Sequence, residues 1–475
     1  MTVLHEAVDV NRPLEEVFDY VSDFTTTAEW DSTAVSACKM TPGEIRVGTQ
    51  FEVICALPVG SVTLRYTVQR LEPNQCIELL GTSRFFEVRD VISFSPSATG
   101  THIDYQAEFS FKPWVVPIAA LSAKGLENMG RESVAGLRLA LEDNFPLQQT
   151  SSFIRRADRM VLPGVSLFSR LGYVLGRKRF NPMSASVKNK HMVITGASSG
   201  IGYASAQALA RRGVSLTLVM RNRHKAEETV EQLQRETGNS DIRYELADLG
   251  LMADVDALVA KLKKRRKPID VLINNAGALF NPRAESAEGL EKSFALLLLS
   301  PYRLTLGLKP LLAKTQAARV INVVSGGMYS QKLEVDSLIV PQGAEYSGSA
   351  AYAKQKRALM ALTQEWAAEW RDEGIVVNAM HPGWADTPGV QEALPQFRRL
   401  TKSVLRSSAE GADTIVWLAM ATEAASASGK LFLDRESRPI HLLGSTKASG
   451  DERQKLVDFL QQFQVPVLSM RSAKT

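Results

Sequence analysis

The chain has 475 residues, 45% hydrophobic and 23% charged, with a formal net charge of +5. That length exceeds one ordinary core, so two domains are expected, and the composition excludes a disordered or fibrous chain. Between Ser151 and Lys190, nine Lys/Arg stand against one acid, Asp158; nine minus one is +8, more than the whole molecule carries. The remainder is slightly acidic, which argues against a nucleic-acid surface spread over the protein, and no nucleic-acid partner is expected.

Met1 to Val10 alternates apolar and polar residues and carries His5, Glu6 and Asp9. That reads as a strand, not as the basic-then-apolar profile of a signal peptide. Pro13 sits where a helix can begin, and Leu14, Val17, Phe18 and Val21 recur at helical spacing. Alternating strands follow around Gln50–Ala56, Ser61–Leu71, Cys76–Leu80, Phe85–Phe94 and Thr101–Phe111, with turn-like separators between them. A long helical pattern runs from Pro117 to Asn144. Cys38, Cys55 and Cys76, odd in number and without a close pair, read as buried reduced thiols instead of a disulfide or zinc framework. No apolar run approaches the roughly 20 residues a spanning helix needs, and a cytoplasmic location is expected.

Strand, helix, meander, long final helix: this order resembles the START-like, polyketide-cyclase-like (SRPBCC) helix-grip domains. The resemblance implies an α+β domain over residues 1–146, in which an antiparallel sheet wraps the last helix around a cavity for an apolar or lipid-like molecule. Trp30, Phe51, Phe86 and Trp114 could line such a cavity, although at strand spacing ordinary core packing is the favoured reading for each of them. No acid–base pair stands out in this region.

Residues 147–189 read as a basic linker, in which Ser166 to Phe180 mixes bulky apolar residues with a cluster of cations. Two readings stay open. Residues 151–190 could lie on an anionic membrane surface as an amphipathic helix, or pack between domains with their cations in water. Gly172 and Gly176 would weaken an isolated helix by about 1 kcal/mol each relative to Ala.

From Lys190 strands and helices alternate. His191 to Thr195 reads as a buried strand, followed by Gly196-Ala197-Ser198-Ser199-Gly200-Ile201-Gly202 and a helix from Tyr203 to Arg212. Glycines remove the Cβ atoms that would block a pyrophosphate, and a helix N-terminus offers unpaired N–H donors. The next strand, Ser215 to Met220, ends on Arg221 where an acid would hold a ribose 2′-hydroxyl. A guanidinium there suits a 2′-phosphate, which favours NADP(H) over NAD(H); a solvated surface Arg is the other reading.

The spacing G-x-x-x-G-x-G resembles the TGxxxGxG motif of the short-chain dehydrogenase/reductase family. Further stretches match that family in order: Ala247-Asp248-Leu249, Asn274-Asn275-Ala276-Gly277, and His381 to Thr387 containing Pro382 and Gly383. The resemblance implies that Asp248 caps the adenine, that the Asn-rich stretch supports the sheet beside the dinucleotide, and that Thr387 orients the nicotinamide amide. It also implies a cofactor site built from Gly196, Ser198, Ser199, Gly200, Ile201, Gly202, Arg221, Asp248, Leu249, Asn275, Ala276, Gly277, Tyr352, Lys356, Pro382, Gly383 and Thr387.

Reducing a carbonyl needs a hydride at carbon and a proton at oxygen. Tyr352 and Lys356 lie one helical turn apart, so both project from one helix face, and an ammonium near a phenol favours the phenolate. They match the family's YxxxK, and Ser325, at the end of the strand Arg319 to Val324, matches its catalytic Ser. The long gap from Ser325 to Tyr352 resembles the retinol-dehydrogenase-like branch, and the stretches around Ser325, Met380 to Val390 and Glu410 to Thr414 resemble its dehydrogenase/reductase SDR family member twelve group. One position departs from the pattern: many members carry an Asn whose main chain holds a proton-relay water, and Leu297 stands there. A kept helix kink would preserve part of that role; a straightened helix would close the path.

The expected architecture is thus a helix-grip domain followed by an α/β Rossmann domain, a doubly wound parallel sheet over residues 190–465, with a tail at 466–475. The expected function is NADP(H)-dependent interconversion of a carbonyl and an alcohol on a hydrophobic or lipid-like substrate, with Ser325, Tyr352 and Lys356 catalytic and no metal site. The alternative is an NADPH-binding scaffold of weak turnover whose N-terminal domain carries an apolar ligand. Family members often pair through helix faces, so a homodimer is an expectation of the resemblance. The run Lys261 to Lys267 reads as a solvated helix end.

Overall fold

A computed structural model describes residues 2–31, 33–56, 61–98, 100–112, 123–142, 167–181, 183, 187, 190–393, 398–399 and 401–463. Trp114, the 151–166 part of the basic segment and the tail lie outside them. The chain divides into two compact units: Met1–Pro146 with Phe180–Ser186, and Leu147–Arg179 with Val187–Thr475.

The first unit is a seven-stranded antiparallel sheet in the order β1-β7-β6-β5-β4-β3-β2. The strands are β1 (Thr2–Val10), β2 (Ala34–Lys39), β3 (Gln50–Ala56), β4 (Ser61–Glu72), β5 (Cys76–Thr82), β6 (Phe86–Pro96) and β7 (Thr101–Phe111). Strict alternation sends Val88, Asp90, Ile92 and Phe94 of β6 to one face and Arg89 to the other. Helix α1 (Leu14–Ser22) opens on Glu15 and Glu16, which suit its N-terminal dipole, and buries Val17, Phe18, Tyr20 and Val21. A short helix, α2 (Thr27–Trp30), and the long α3 (Ala123–Glu142) complete the unit. Gly136 of α3 is needed for close approach: a Cβ there would stand 2.1 Å from the Trp30 carbonyl oxygen. One strand, β2, has no counterpart in the sequence reading. Its Ala-Val-Ser-Ala-Cys-Lys has little β character of its own and is held by antiparallel pairing to β3.

The second unit carries an eight-stranded sheet in the order β10-β9-β8-β11-β12-β13-β14-β15. Its first six strands in chain order are β8 (His191–Thr195), β9 (Ser215–Met220), β10 (Ile242–Leu246), β11 (Val271–Asn274), β12 (Arg319–Val323) and β13 (Val376–Met380). They and β14 (Leu431–Leu433) run parallel, while β15 (Glu436–Arg438) is antiparallel. Both β8 and β9 are buried throughout, as expected for strands covered on both faces. The chain winds from β8 outward to β10, then returns to place β11 on the other side of β8. That reversal opens a crevice at the carboxyl ends of β8 and β11, where α/β sheets bind their ligands.

Two details add to the sequence reading. The run Lys261 to Lys267 is an exposed helix end, and two of its cations are also paired: Lys261 Nζ lies 2.6 Å from Glu245, a residue buried on β10, and Arg265 pairs with the same carboxylate. Residues 170–177 do form a helix, α4 (Arg170–Arg177). Gly172 is a requirement there and not a weakness, because a Cβ would stand 1.9 Å from the Leu167 carbonyl oxygen.

Candidate active site

The glycine turn after β8 is shaped by what surrounds it. Gly196 and Gly200 take φ of +69° and +57°, a region side chains disfavour. A Cβ on Gly196 would meet Ala276 Cα at 2.8 Å; one on Gly202 would meet the Gly196 carbonyl oxygen at 2.2 Å and Asn275 Nδ2 at 2.5 Å. A Cβ on Gly200 would lie 3.3 Å from Thr387. Two stretches distant in sequence, at residues 275–276 and at Thr387, therefore converge on one turn, which opens helix α5 (Gly200–Ala210). Ser198 and Ser199 are exposed there, and Ile201 is half-buried.

Hydrogen bonds lock the turn to the end of β11. Thr195 Oγ1, absent from the sequence-derived site, accepts from the backbone N–H of Asn275 and of Ala276, each at 3.0 Å. Asn275 Nδ2 donates to the carbonyls of Thr195 and Gly196. Behind it a buried ladder crosses the sheet: Asn274 Nδ2 donates to Asn322 Oδ1 and Thr305 Oγ1, and Asn322 Nδ2 donates to Thr363 Oγ1. Each buried amide nitrogen thereby regains hydrogen bonds lost to water.

Arg221 follows β9, is exposed, and makes no ion pair or hydrogen bond among the described residues. Asp248, just past β10, accepts from Gly250 N–H at 2.9 Å, and Leu249 beside it is buried. The cradle that a Cβ would fill, the open helix N-terminus and the free guanidinium fit a dinucleotide bearing a 2′-phosphate.

Tyr352 and Lys356 share helix α6 (Gly348–Glu369). Ser347 caps its start, its side chain accepting from Ala350 N–H. Lys356 is buried; its Nζ donates to the Val323 carbonyl at the end of β12 at 2.6 Å and lies 5.7 Å from the centroid of the Tyr352 ring. The same Nζ would be 3.8 Å from a Cβ on Gly277, which ties the helix to the dinucleotide crevice. Ser325 follows β12 and accepts from Gly327 N–H; a Cβ on Gly327 would be 3.7 Å from Ser325 Oγ and 3.6 Å from Ala353 Cβ. The serine and the residue after Tyr352 thus flank one glycine.

In the bare fold, burial dominates the electrostatics of the pair. It pushes the Tyr352 phenol up to about 12 and the Lys356 ammonium down to about 8. The expectation that the ammonium lowers the phenol is not met by this side-chain pair on its own, because Nζ faces the ring and a carbonyl.

At Leu297 the helix does not straighten. Ala295–Leu299 forms a π-helical turn between Lys292–Phe294 and Ser300–Leu312, so the kink is kept without the Asn. A small space of about 10 Å³ lies there, lined by Asn274, Leu297, Ser300 and Lys356 among others. That is about the volume one water needs.

The Pro-Gly loop recruits residues that the sequence had assigned to the linker. Gly383, at φ +71°, would carry a Cβ 2.5 Å from the Phe168 carbonyl oxygen, and Trp384 N–H donates to that oxygen at 2.8 Å. Buried Arg406 pairs with Asp434 and donates to the carbonyls of Leu167, Phe168 and Ser169. The Phe168 ring meets His381 edge-on at 4.3 Å. Burial, with Arg406 and Arg438 nearby, keeps His381 neutral, and its Nδ1 accepts from Gly383 N–H. No local signal marked Phe168, because its partners lie more than 150 residues away. Among the described residues, no group of His, Cys, Asp and Glu is arranged to hold a metal, and no helix is long and apolar enough to cross a membrane.

Residues 190–397 match the short chain dehydrogenase family, and residues 1–142 match the polyketide cyclase / dehydrase and lipid transport family. The chain is 40% identical over 305 residues to dehydrogenase/reductase SDR family member 12 of Bos taurus, covering 63% of this chain and 94% of that one. It is 32% identical to polyprenol dehydrogenase of Homo sapiens, covering 54% and 80%, and 30% identical to human retinol dehydrogenase 13, covering 53% and 78%. The L-sorbose reductase of Gluconobacter frateurii, solved with NADPH and L-sorbose, is 25% identical with a TM-score of 0.44, covering 53% of this chain and 96% of that chain.

Proposed function

The chain belongs to the short-chain dehydrogenase/reductase family of oxidoreductases, and from that premise we propose that it interconverts an alcohol and a carbonyl on an apolar, lipid-like substrate using NADP(H). The observation that carries this reading is the convergence of Lys356 Nζ, the β12 carboxyl end and Gly277 beside the glycine turn. Bound NADP(H) supplies or accepts the hydride. Gly196, Ser198, Ser199, Gly200, Ile201 and Gly202 would cradle its pyrophosphate, Arg221 its 2′-phosphate, and Asp248 and Leu249 its adenine. Asn275, Ala276, Gly277, Pro382, Gly383 and Thr387 would border the nicotinamide end.

The protein's own part is proton transfer and orientation. Tyr352, holding its proton at rest, gives it to the substrate oxygen as negative charge develops there. Lys356, still cationic below about pH 8, stabilises the phenolate left behind and holds the nicotinamide ribose. Ser325 orients the same oxygen. The lipid-like class is supported by the aromatic wall of buried Phe168 and half-buried Trp384 and by the names of the polyprenol and retinol relatives.

The test is stopped-flow oxidation of NADPH against aldehydes, ketones and quinones, with Tyr352→Phe beside the wild type. Retained NADPH affinity with turnover reduced about 100- to 10,000-fold is expected. Full activity in the variant refutes the assignment. A second reading, a weakly active NADPH-binding scaffold, rests on Leu297. Its Cδ2 would stand 3.3 Å from a Gly277 Cβ, so an apolar side chain occupies the relay position. Failure of every acceptor to oxidise NADPH favours it.

For location, we propose a cytoplasmic protein, its three cysteines free, that touches an anionic membrane surface through α4. Leu171, Val174 and Leu175, at i, i+3 and i+4, are 65%, 45% and 42% exposed, with Arg170, Arg177 and Lys178 around them. Pelleting with phosphatidylserine vesicles at low salt should be lost in Leu171→Ser/Leu175→Ser. A homodimer is the proposed assembly, measurable by sedimentation equilibrium.

A further inference from the structure

The inward face of a sheet that packs on a helix should be apolar, and in the first unit it is, except around one point. Asp90 sits between Val88 and Ile92 on the inward side of β6 and is buried. Its Oδ1 accepts from Tyr105 Oη of β7 at 2.9 Å, and Tyr66 of β4 also acts on the carboxyl as a hydrogen-bonding neighbour. Its Oδ2 is buried and, among the described residues, has no partner in bonding geometry.

The strand register explains how three distant residues meet. Asp90 pairs with Leu79 on one side and with Ala107 on the other, and the next row places Tyr66 opposite Gly81 and Gly81 opposite Val88. Gly81 has no side chain because the Tyr66 ring uses that space: a Cβ there would lie 2.5 Å from Tyr66 Cε1. Tyr66 therefore leans across β5 towards Asp90, while the neighbour at 107 is only an alanine. Around them, Phe86, Tyr105, Phe111 and Cys55 occupy inward positions yet are only half-buried. Apolar surface thus remains accessible on this side of the sheet, next to the polar cluster.

An unpaired buried carboxyl oxygen costs free energy unless something else satisfies it. As a neutral acid, Asp90 has one O–H to donate, and since Oδ1 already accepts from Tyr105, Oδ2 is the oxygen left to carry it. Tyr66 Oη has a single O–H, which faces the carboxyl in the free domain and would turn to the incoming oxygen as the second donor. Two donors and an apolar surround fit a single acceptor oxygen on a hydrophobic molecule. We propose that the N-terminal domain binds an apolar carbonyl compound, whose oxygen enters between Tyr66 and Asp90 and accepts a hydrogen bond from each. This is a binding site separate from the dinucleotide crevice and independent of the reaction proposed there.

The donor state is available near neutrality: burial pushes the Asp90 carboxyl up to about 7 against the lowering effect of Tyr105 and Tyr66, and Asp31 raises it further. Tyr66 and Tyr105 stay protonated, both raised by burial, with Asp90, Asp31 and Cys55 acting on each. Asp31, from the corner after α2, is itself raised by burial; its Oδ1 accepts from Thr33 and from Ser133 of α3. Among the described residues no cation acts on the Asp90 carboxyl.

The experiment uses the full chain without added dinucleotide, with 2-dodecanone as the probe and dodecane as its oxygen-free counterpart. Tyr66→Phe should weaken 2-dodecanone binding about tenfold, the worth of one hydrogen bond, and leave dodecane binding unchanged. Asp90→Leu should do the same, and wild-type affinity for the ketone should fall between pH 6 and pH 8 as the donor is lost. Should Asp90→Leu fail to fold, Tyr66→Phe decides alone. Equal losses for both probes would mean a packing role only and overturn the proposal. Ketone binding untouched by either substitution would assign the ketone to the C-terminal site and overturn it as well.

Discussion

In the C-terminal domain three buried charges are answered by opposite charges or carbonyl oxygens. Arg406 meets Asp434 and three carbonyl oxygens, Glu245 meets Lys261 and Arg265, and Lys356 meets the Val323 carbonyl. In the N-terminal sheet, among the described residues, Asp90 has phenols as its hydrogen-bonding neighbours and one oxygen without a partner. The first pattern serves to hold loops in register, since each pair ties a strand end to a segment far away in sequence. The second is costly as structure and makes sense as recognition. Burial alone does not separate the two cases; partners do.

The sharpest way to break that contrast is at Arg406. Arg406→Met leaves Asp434 buried and unpaired and frees the carbonyls of residues 167–169, so a loss of about 3–5 kcal/mol is expected from denaturant titration. A loss below about 1 kcal/mol would show that the pair is not holding the loop.

Asp90 predicts an effect of comparable size at high pH that vanishes at low pH. Its folded-state value of about 7 lies above an unfolded value of about 3.9, so the folded state keeps a proton that the unfolded state has lost. Stability should therefore fall as pH rises from about 4 to about 7, and the full penalty, up to about 4 kcal/mol, stands above that. Asp90→Asn removes this slope. Thermal melts of wild type and variant that run parallel from pH 4 to pH 8 would show that the carboxyl is not held neutral.

Gly172→Ala sharpens the comparison at the edge of the C-terminal site. The added Cβ would run into the Leu167 carbonyl oxygen, one of the acceptors of Arg406, so about 1–3 kcal/mol of stability should be lost. An unchanged melting temperature would show that α4 can move away freely. The smallest effect is expected at Lys356. Its ammonium, lowered to about 8 by burial, is charged below that value and neutral above it. Carbonyl reduction that depends on this charge should therefore decline about tenfold per pH unit above pH 8. A flat profile from pH 7 to pH 10 would remove the ammonium from the proton-transfer step.

Legibility followed how contiguous the chemistry is. Tyr352 and Lys356 lie on one helical turn, and the glycine turn spans seven residues, so both were readable before any fold was known. Asp90 left a signal too: Phe86, Val88, Asp90, Ile92 and Phe94 share one face of β6, and an acid at an inward position is an anomaly visible in the alternation. It went unread because its partners come from β4 and β7. Lys261 to Lys267 is the solvated helix end that was expected, but the pairing of Lys261 and Arg265 with Glu245 went unread for the same reason, since Glu245 belongs to β10.

What the amino-acid order determined by itself was the two-domain plan, the period of each element and the cofactor-binding motifs, because propensity, alternation and local spacing act over a few residues. Only the tertiary structure decided that residues 167–169 belong to the Pro-Gly loop, that the helix stays kinked at Leu297, and that Asp90, Tyr66 and Tyr105 form one cluster. Those outcomes depend on strand register and on close packing between distant segments. Neither is a property of any short stretch of chain.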